Sequence, residues 1–397
     1  WLAQAAPAPT AAEPLPPVGA TDLPASSSAV GLAMVVYDIA QKYAYQEGGA
    51  ENKANHRKFA DYRLPEWVRH PLKETRKKSA LLFPGEQTHY VGMLKEVRKK
   101  PNVQAMLAKA EEIFGFDVES LMKDGPAQEM KSTGVNQPMI YVANCVAYEI
   151  LKERSPEDAE KCQAVAGYSV GEFSALYAAG VITFEQGCQI VKVRADALQE
   201  LSDEVEMEAL SIQGIPLDAL DRFMKRAKKA DVDAGEDPEA HVARHWCPDG
   251  FIVAGRRSTV LQLRDILQAP EVRLLPDHIH AGHTPMAKQA TEAVAEVLDR
   301  MIPSMNPPRC DMFLNQTGWR VPMGASPFDF ADALKAQLSE PLLWESCVTQ
   351  MLRWGIRQFI ECGPSRSLKF AMGKFEHFIE APVEIVTPWD LTTNVLV

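Results

Sequence analysis

The chain has 397 residues, 46% hydrophobic and 24% charged, an ordinary composition for a globular protein that can bury a sizeable core. At ~150 residues per domain, its length suits two or three folding units, or one large α/β body with an insertion. Lys and Arg number 42 against 53 Asp and Glu, a net charge of −11 that argues against a surface built throughout to attract nucleic acid. The best apolar run, Val30 to Tyr37, falls far short of the ~18 residues of a membrane-spanning helix.

Residues 1–29 hold nine Ala and six Pro, with no Lys or Arg. Such low-complexity sequence has little bulk to bury and reads as an extension. The chain begins at Trp1, so an upstream piece is expected to have been removed; lacking Arg, residues 1–29 do not themselves read as a mitochondrial presequence. Residues 31–47 suit a short helix stopped by Gly48-Gly49. Residues 48–78 follow as a basic arm. Between Lys53 and Lys78 there are nine basic and three acidic residues, net +6, which leaves −17 on the rest. The arm reads either as a solvated connector or as a partner-binding segment. It is the one place where nucleic acid could bind.

Ser79-Ala-Leu-Leu-Phe83 reads as a buried strand stopped by Pro84-Gly85. Residues 137–152 have helical periodicity, and Gln163 to Ala166 is a short apolar strand before Gly167. A helix is expected over Val170 to Ala179, ended by Gly180. Thr183-Phe-Glu-Gln186 matches a capping box and opens another helix to about Leu201. Residues 207–278 alternate differently: strand 208–215, helix 217–229, an acidic loop, strand 250–255, helix 258–267, strand 272–275. Gln358 to Cys362 is a further strand. These patterns predict an α/β fold with a mostly parallel sheet and a small ferredoxin-like insertion. The expected division is an extension over 1–78, a large catalytic subdomain over 79–206 and 279–397, and a small one over 207–278.

The seven cysteines are widely spaced with no CxxC pair, which suggests reduced thiols rather than a disulfide framework. His278, His280 and His283 lie close together, but no neighbouring Cys or acid cluster completes a zinc pattern.

Gly167-Tyr-Ser-Val-Gly171 is a G-x-S-x-G pentapeptide after a strand candidate and before a helix candidate. That context places Ser169 on a tight strand-to-helix turn, with the helix N-terminus favouring a developing oxyanion. A serine nucleophile needs a base, and His283, directly after the 207–278 segment, is a candidate.

The stretch Gly167-Tyr-Ser-Val-Gly-Glu-Phe173, with Ala178-Ala-Gly180 and Val191 to Gln199, resembles malonyl-CoA:acyl carrier protein transacylase, most of all its mitochondrial form. The resemblance covers about residues 79–390. It includes Leu81 to Gly85 with Val91-Gly-Met93, Gly282-His-Thr284, Gln337-Leu338 with Pro341 and Trp344, and Glu361-Cys-Gly-Pro364. It implies an α/β-hydrolase-like large subdomain and transfer of malonyl from CoA to the phosphopantetheine thiol of acyl carrier protein in type II fatty-acid synthesis. It further implies no metal or redox cofactor, and a mitochondrial matrix location, with a plastid as the alternative. Ser169 matches the nucleophile, His283 the general base, and Gln337 the residue whose backbone carbonyl orients the imidazole. Arg194 matches the residue that binds the malonyl carboxylate, and the backbone N–H groups of Glu86 and Val170 match the oxyanion hole. A guanidinium fork suits a carboxylate, and a serine hydrolase has no need of Arg194. Two departures stand out: Phe83-Pro-Gly-Glu-Gln-Thr-His89 replaces the usual Phe-Pro-Gly-Gln-Gly-Ser-Gln, and Gly282 replaces the Phe of malonyl-selective members. These changes, with the 1–78 extension, support a second expectation: recruitment into a large mitochondrial assembly with reduced catalysis.

Overall fold

The computed structural model describes residues 78–86, 88–269, 271–275, 282–375 and 384–389. The extension over 1–77, its expected helix, nearly all of the basic arm, Gln87, His278 and His280 lie outside the described residues.

In chain order the elements begin with β1 (Lys78–Phe83), α1 (Pro101–Phe114), α2 (Val118–Asp124), α3 (Thr133–Arg154) and α4 (Pro156–Glu160). Next come β2 (Ala164–Gly167), α5 (Gly171–Ala178), α6 (Phe184–Glu204), β3 (Met207–Gln213), α7 (Leu217–Asp233), β4 (Ala240–Cys247), β5 (Gly250–Arg256), α8 (Arg257–Leu267) and β6 (Val272–Leu274). The last part holds α9 (Lys288–Met301), β7 (Asp311–Phe313), β8 (Arg320–Val321), α10 (Pro327–Ala336), β9 (Leu342–Leu343), α11 (Trp344–Arg353), β10 (Ile356–Glu361), α12 (Ser367–Gly373) and β11 (Glu384–Val386). Among the described residues no helix is long and apolar enough to cross a membrane.

The first sheet has the order β11-β10-β1-β2-β7-β8. All its pairings are parallel except β7 with β8. Its central strands are apolar on both faces, as a parallel sheet covered by helices requires; Ala80 to Phe83 and Val165 are fully buried. Because β1, β2 and β7 run parallel, the loops that follow them emerge along one edge. Those loops carry Glu86, Ser169 and Asn315, in the crevice where open α/β sheets hold ligands.

The second sheet has the order β6-β3-β5-β4-β9. Its first four strands are antiparallel neighbours, and the run β3-α7-β4-β5-α8-β6 has the ferredoxin-like order. The expected acidic loop between α7 and β5 is shorter than read, because Ala240–Cys247 forms β4. Its pairing with β5 slips at Val242/Arg244 and again at His245/Cys247. The two bulges break the period-two alternation that marks a strand in sequence. Strand β9 pairs parallel with β4, Arg244 opposite Leu342, and so ties this sheet to the chain that leads into α11.

Helix α6 begins with the expected capping box: the Thr183 hydroxyl accepts from Gln186 N, and the Gln186 side chain accepts from Thr183 N. Its buried stripe is Gly187, Cys188, Ile190, Val191, Arg194, Ala195 and Leu198, a helical period with one charged member. All seven cysteines are buried and free.

Candidate active site

Strand β2 ends at Gly167, and the chain turns through Tyr168 and Ser169 into α5. Ser169 carries the strain of this turn, with φ at 57°. The two glycines serve close approach instead. A Cβ on Gly167 would meet Gly171 O at 2.0 Å, and a Cβ on Gly171 would meet Phe83 O at 2.2 Å. The motif's spacing therefore lets α5 pack directly on the ends of β1 and β2. Asn315, just past β7, holds the elbow from the side: its Oδ1 accepts from Ser169 N at 2.7 Å, and its Nδ2 donates to Gly167 O at 2.5 Å.

Ser169 Oγ lies 2.8 Å from His283 Nε2, and His283 Nδ1 lies 2.8 Å from Gln337 O. A carbonyl can only accept, so Nδ1 carries the proton and Nε2 is left to accept from the serine hydroxyl. His283 also sits at positive φ, 67°, with its N–H donating to Leu338 O at 2.6 Å. All three residues are buried, each with 2% exposure or less.

Arg194 is completely buried, in the apolar stripe of α6. Its Nη2 donates to Ser169 Oγ at 2.9 Å and to Gln337 Oε1 at 3.3 Å; its Nη1 donates to Gln137 Oε1. Burial pushes the guanidinium down to about 10; Glu86 and Glu172 pull it up, and Arg244 adds to the downward push. It stays charged at neutral pH.

Glu86 faces this group. Its Oε1 accepts from Gln137 Nε2 at 2.8 Å, so a Glu86–Gln137–Arg194 relay runs into the site. Glu172, in the first turn of α5, is 2% exposed. It accepts from Asn315 N at 2.6 Å and Gln337 Nε2 at 2.5 Å. Burial pushes its carboxyl up to about 7, against the pull of those donors and Arg194. Gln337 thus presents its carbonyl to His283 while Glu172 fixes its side chain. Val170 opens α5 in helical conformation, directly after the serine.

The structure therefore brings Ser169, His283, Gln337 and Arg194 into direct hydrogen-bonded contact, with Glu86 joined through Gln137. Sequence reading missed Gln137, Glu172, Arg244 and Asn315. Only Asn315 had a readable signal: a polar residue just past a short apolar strand.

A buried serine–histidine pair on an α/β elbow, with a guanidinium at the hydroxyl, defines an acyl-transfer class of site. Residues 81–317 match the acyl transferase domain family. The human protein named mitochondrial malonyl-CoA-acyl carrier protein transacylase is 31% identical over 298 residues, 73% of this chain and 75% of that protein. The Haemophilus influenzae malonyl CoA-acyl carrier protein transacylase is 28% identical over 74% of this chain and 90% of its own length. An acyl carrier protein S-malonyltransferase structure from Vibrio cholerae superimposes with a TM-score of 0.67 at 26% identity, covering 78% of this chain and 96% of that one. The chain belongs to the malonyl-CoA-acyl carrier protein transacylase family.

Proposed function

We propose that this chain transfers malonyl from CoA to the phosphopantetheine thiol of acyl carrier protein through a malonyl ester on Ser169. The observation that carries the reading is the position of Ser169 Oγ, hydrogen-bonded on one side by His283 Nε2 and on the other by Arg194 Nη2. The first defines an activated nucleophile; the second sets a carboxylate-binding group beside it, which a simple hydrolase does not need.

In the first half-reaction His283 Nε2 takes the Ser169 proton as Oγ attacks the thioester carbonyl. The backbone N–H groups of Val170 and Glu86 are the proposed donors to the resulting oxyanion. Collapse breaks the C–S bond, and the imidazolium returns its proton to the departing CoA sulfur. In the second half-reaction the phosphopantetheine thiol gives its proton to His283 and attacks the ester, and Ser169 leaves as the protonated alcohol. Protons move only among serine, histidine and two thiols, so the cycle balances without a metal or redox group. Arg194 selects malonyl by pairing with its free carboxylate, since acetyl leaves a buried guanidinium without that partner.

The mitochondrial names of relatives from human, fly and mouse support a mitochondrial location, and we place the activity in the matrix. Intact-protein mass spectrometry after malonyl-CoA tests the reading. Wild type is expected to gain one malonyl mass, and Ser169→Ala none. A wild type without the adduct, or a Ser169→Ala protein that keeps it, overturns the proposal.

A further inference from the structure

Arg244 is a second buried arginine near the elbow, beside Tyr168, the residue that precedes Ser169, and no motif in the sequence singled it out. It lies on β4, at the bulge where pairing with β5 slips, and its backbone pairs with Leu342 on β9. Bulges re-aim side chains, and this one lies where the second sheet meets the chain between Gln337 and Trp344. Arg244 is 8% exposed. Its Cζ lies 6.0 Å from the centre of the Tyr168 ring, and Tyr168 is the residue before Ser169. Trp344 holds that ring edge-to-face from another side, with centroids 5.5 Å apart.

Two features make this arginine more than packing. Its Nε is buried with no hydrogen-bond partner. Among the described residues, none of the ion pairs involves Arg244, although the exposed arginines Arg222 and Arg264 each have a carboxylate. A buried cation without a counter-charge is costly unless an anion arrives to pair with it. The neighbouring Arg194, by contrast, is already engaged at Nε, Nη1 and Nη2 by Gln337, Gln137 and Ser169. Arg244 also lies close enough to Arg194 for the two cations to repel each other, and an anion between them relieves both costs.

We propose that Arg244 is a second carboxylate-recognition residue in the acyl pocket, pairing with the free acid of an acyl-CoA substrate together with Arg194. This deepens the malonyl-transfer reading and rests on it. The added cation also offsets the negative charge that Glu86 brings to the same pocket. Tyr168 serves as its platform, through the cation–π face and the tether to the nucleophile.

The test is binding, so that turnover does not enter. Calorimetry on Ser169→Ala protein compares malonyl-CoA with acetyl-CoA, with Arg244 intact or changed to Gln or Met. The expected result is a malonyl preference that falls about tenfold or more on loss of Arg244, the size of a buried charge-assisted hydrogen bond. Acetyl-CoA affinity should stay nearly level. Equal weakening of both ligands assigns Arg244 to the CoA portion and overturns the proposal; so does an unchanged preference. If neither variant folds, 15N-Arg spectra of the Ser169→Ala protein decide. Malonyl-CoA, and not acetyl-CoA, must shift the Arg244 Nε–H. No malonyl preference even with Arg244 intact is a failure of the malonyl-transfer reading itself, whereas a preference that ignores Arg244 is a failure of this inference alone.

Discussion

Glu86 stands where the family usually carries a neutral Gln, and its carboxylate reaches Arg194 through one intervening amide. The chain Arg194–Gln137–Glu86 contains two hydrogen bonds and the width of a carboxamide, a span of roughly 7 Å between opposite charges. A bound malonyl carboxylate on Arg194 would feel Glu86 at a similar distance. At an effective dielectric of ~20 that repulsion is about 2 kcal/mol. Glu86 is only half-buried, and solvent screening brings the figure to about 1–2 kcal/mol. Glu86→Gln should therefore raise kcat/KM for malonyl-CoA by roughly 5- to 30-fold while leaving acetyl-CoA within about threefold. Gln can still accept from Gln137 Nε2, so the relay and the Glu86 backbone N–H stay in place. The assay is radiolabelled acyl transfer to holo acyl carrier protein at low ionic strength, repeated at 0.5 M salt. The gain should shrink as salt screens the wild-type repulsion. A fall in malonyl activity with acetyl unchanged would mean that Glu86 assists carboxylate binding, and the electrostatic argument would be wrong.

The elbow glycines give a second prediction. Gly171→Ala drives a Cβ to 2.2 Å from Phe83 O and 2.6 Å from Pro84 O, both backbone atoms that cannot swing aside. Stability should fall by about 3 kcal/mol or more, read as a shift in the urea midpoint; a shift under about 1 kcal/mol refutes the packing account. Glu361 gives a third. Burial raises its carboxyl to about 7, against the pull of the Leu368 and Lys369 N–H groups and Ser367, which it caps at the start of α12. A carboxyl with a folded pKa above its unfolded value binds its proton more tightly in the folded chain. Its contribution is present in full below about pH 4.5 and is lost as pH rises through about 7, at about 1 kcal/mol per unit. Glu172 follows the same course. Unfolding free energies at pH 5 and pH 7 should therefore converge in Glu361→Gln relative to wild type. An unchanged difference between the two pH values rules the linkage out.

The parts of the molecule readable from sequence are those whose geometry is local. The G-x-S-x-G spacing encodes a close approach that no side chain tolerates, and the Thr183–Gln186 box closes within one turn. Strand β4 was missed because its bulges shift phase twice in eight residues, so Ala240 to Cys247 never alternates. Arg194 carried a signal of its own: Ile190, Val191, Ala195 and Leu198 place it in the middle of a buried stripe, where a charge needs a reason. Nothing in the sequence marked which side chains it would meet. Gln137 lies on α3, Gln337 just beyond α10 and Glu86 beyond β1, and only the sheet order brings them together.

The site also changes how the charge of the chain should be read. A net −11 says nothing about a pocket in which Arg194 and Arg244 meet Glu86 and Glu172, all drawn from separate elements. What decides selectivity there is the local count. On the proposed reading Glu86 subtracts from the carboxylate site that Arg194 would define, and Arg244, carried by β4, adds to it. The two side chains oppose each other, so replacing Glu86 while keeping Arg244 should give a pocket more selective for acidic acyl groups than the present one. Glu86→Gln and Arg244→Gln should shift the malonyl-to-acetyl ratio in opposite directions, with the double variant between them; shifts in the same direction refute the charge argument. A double variant that matches either single one shows instead that the two side chains are coupled.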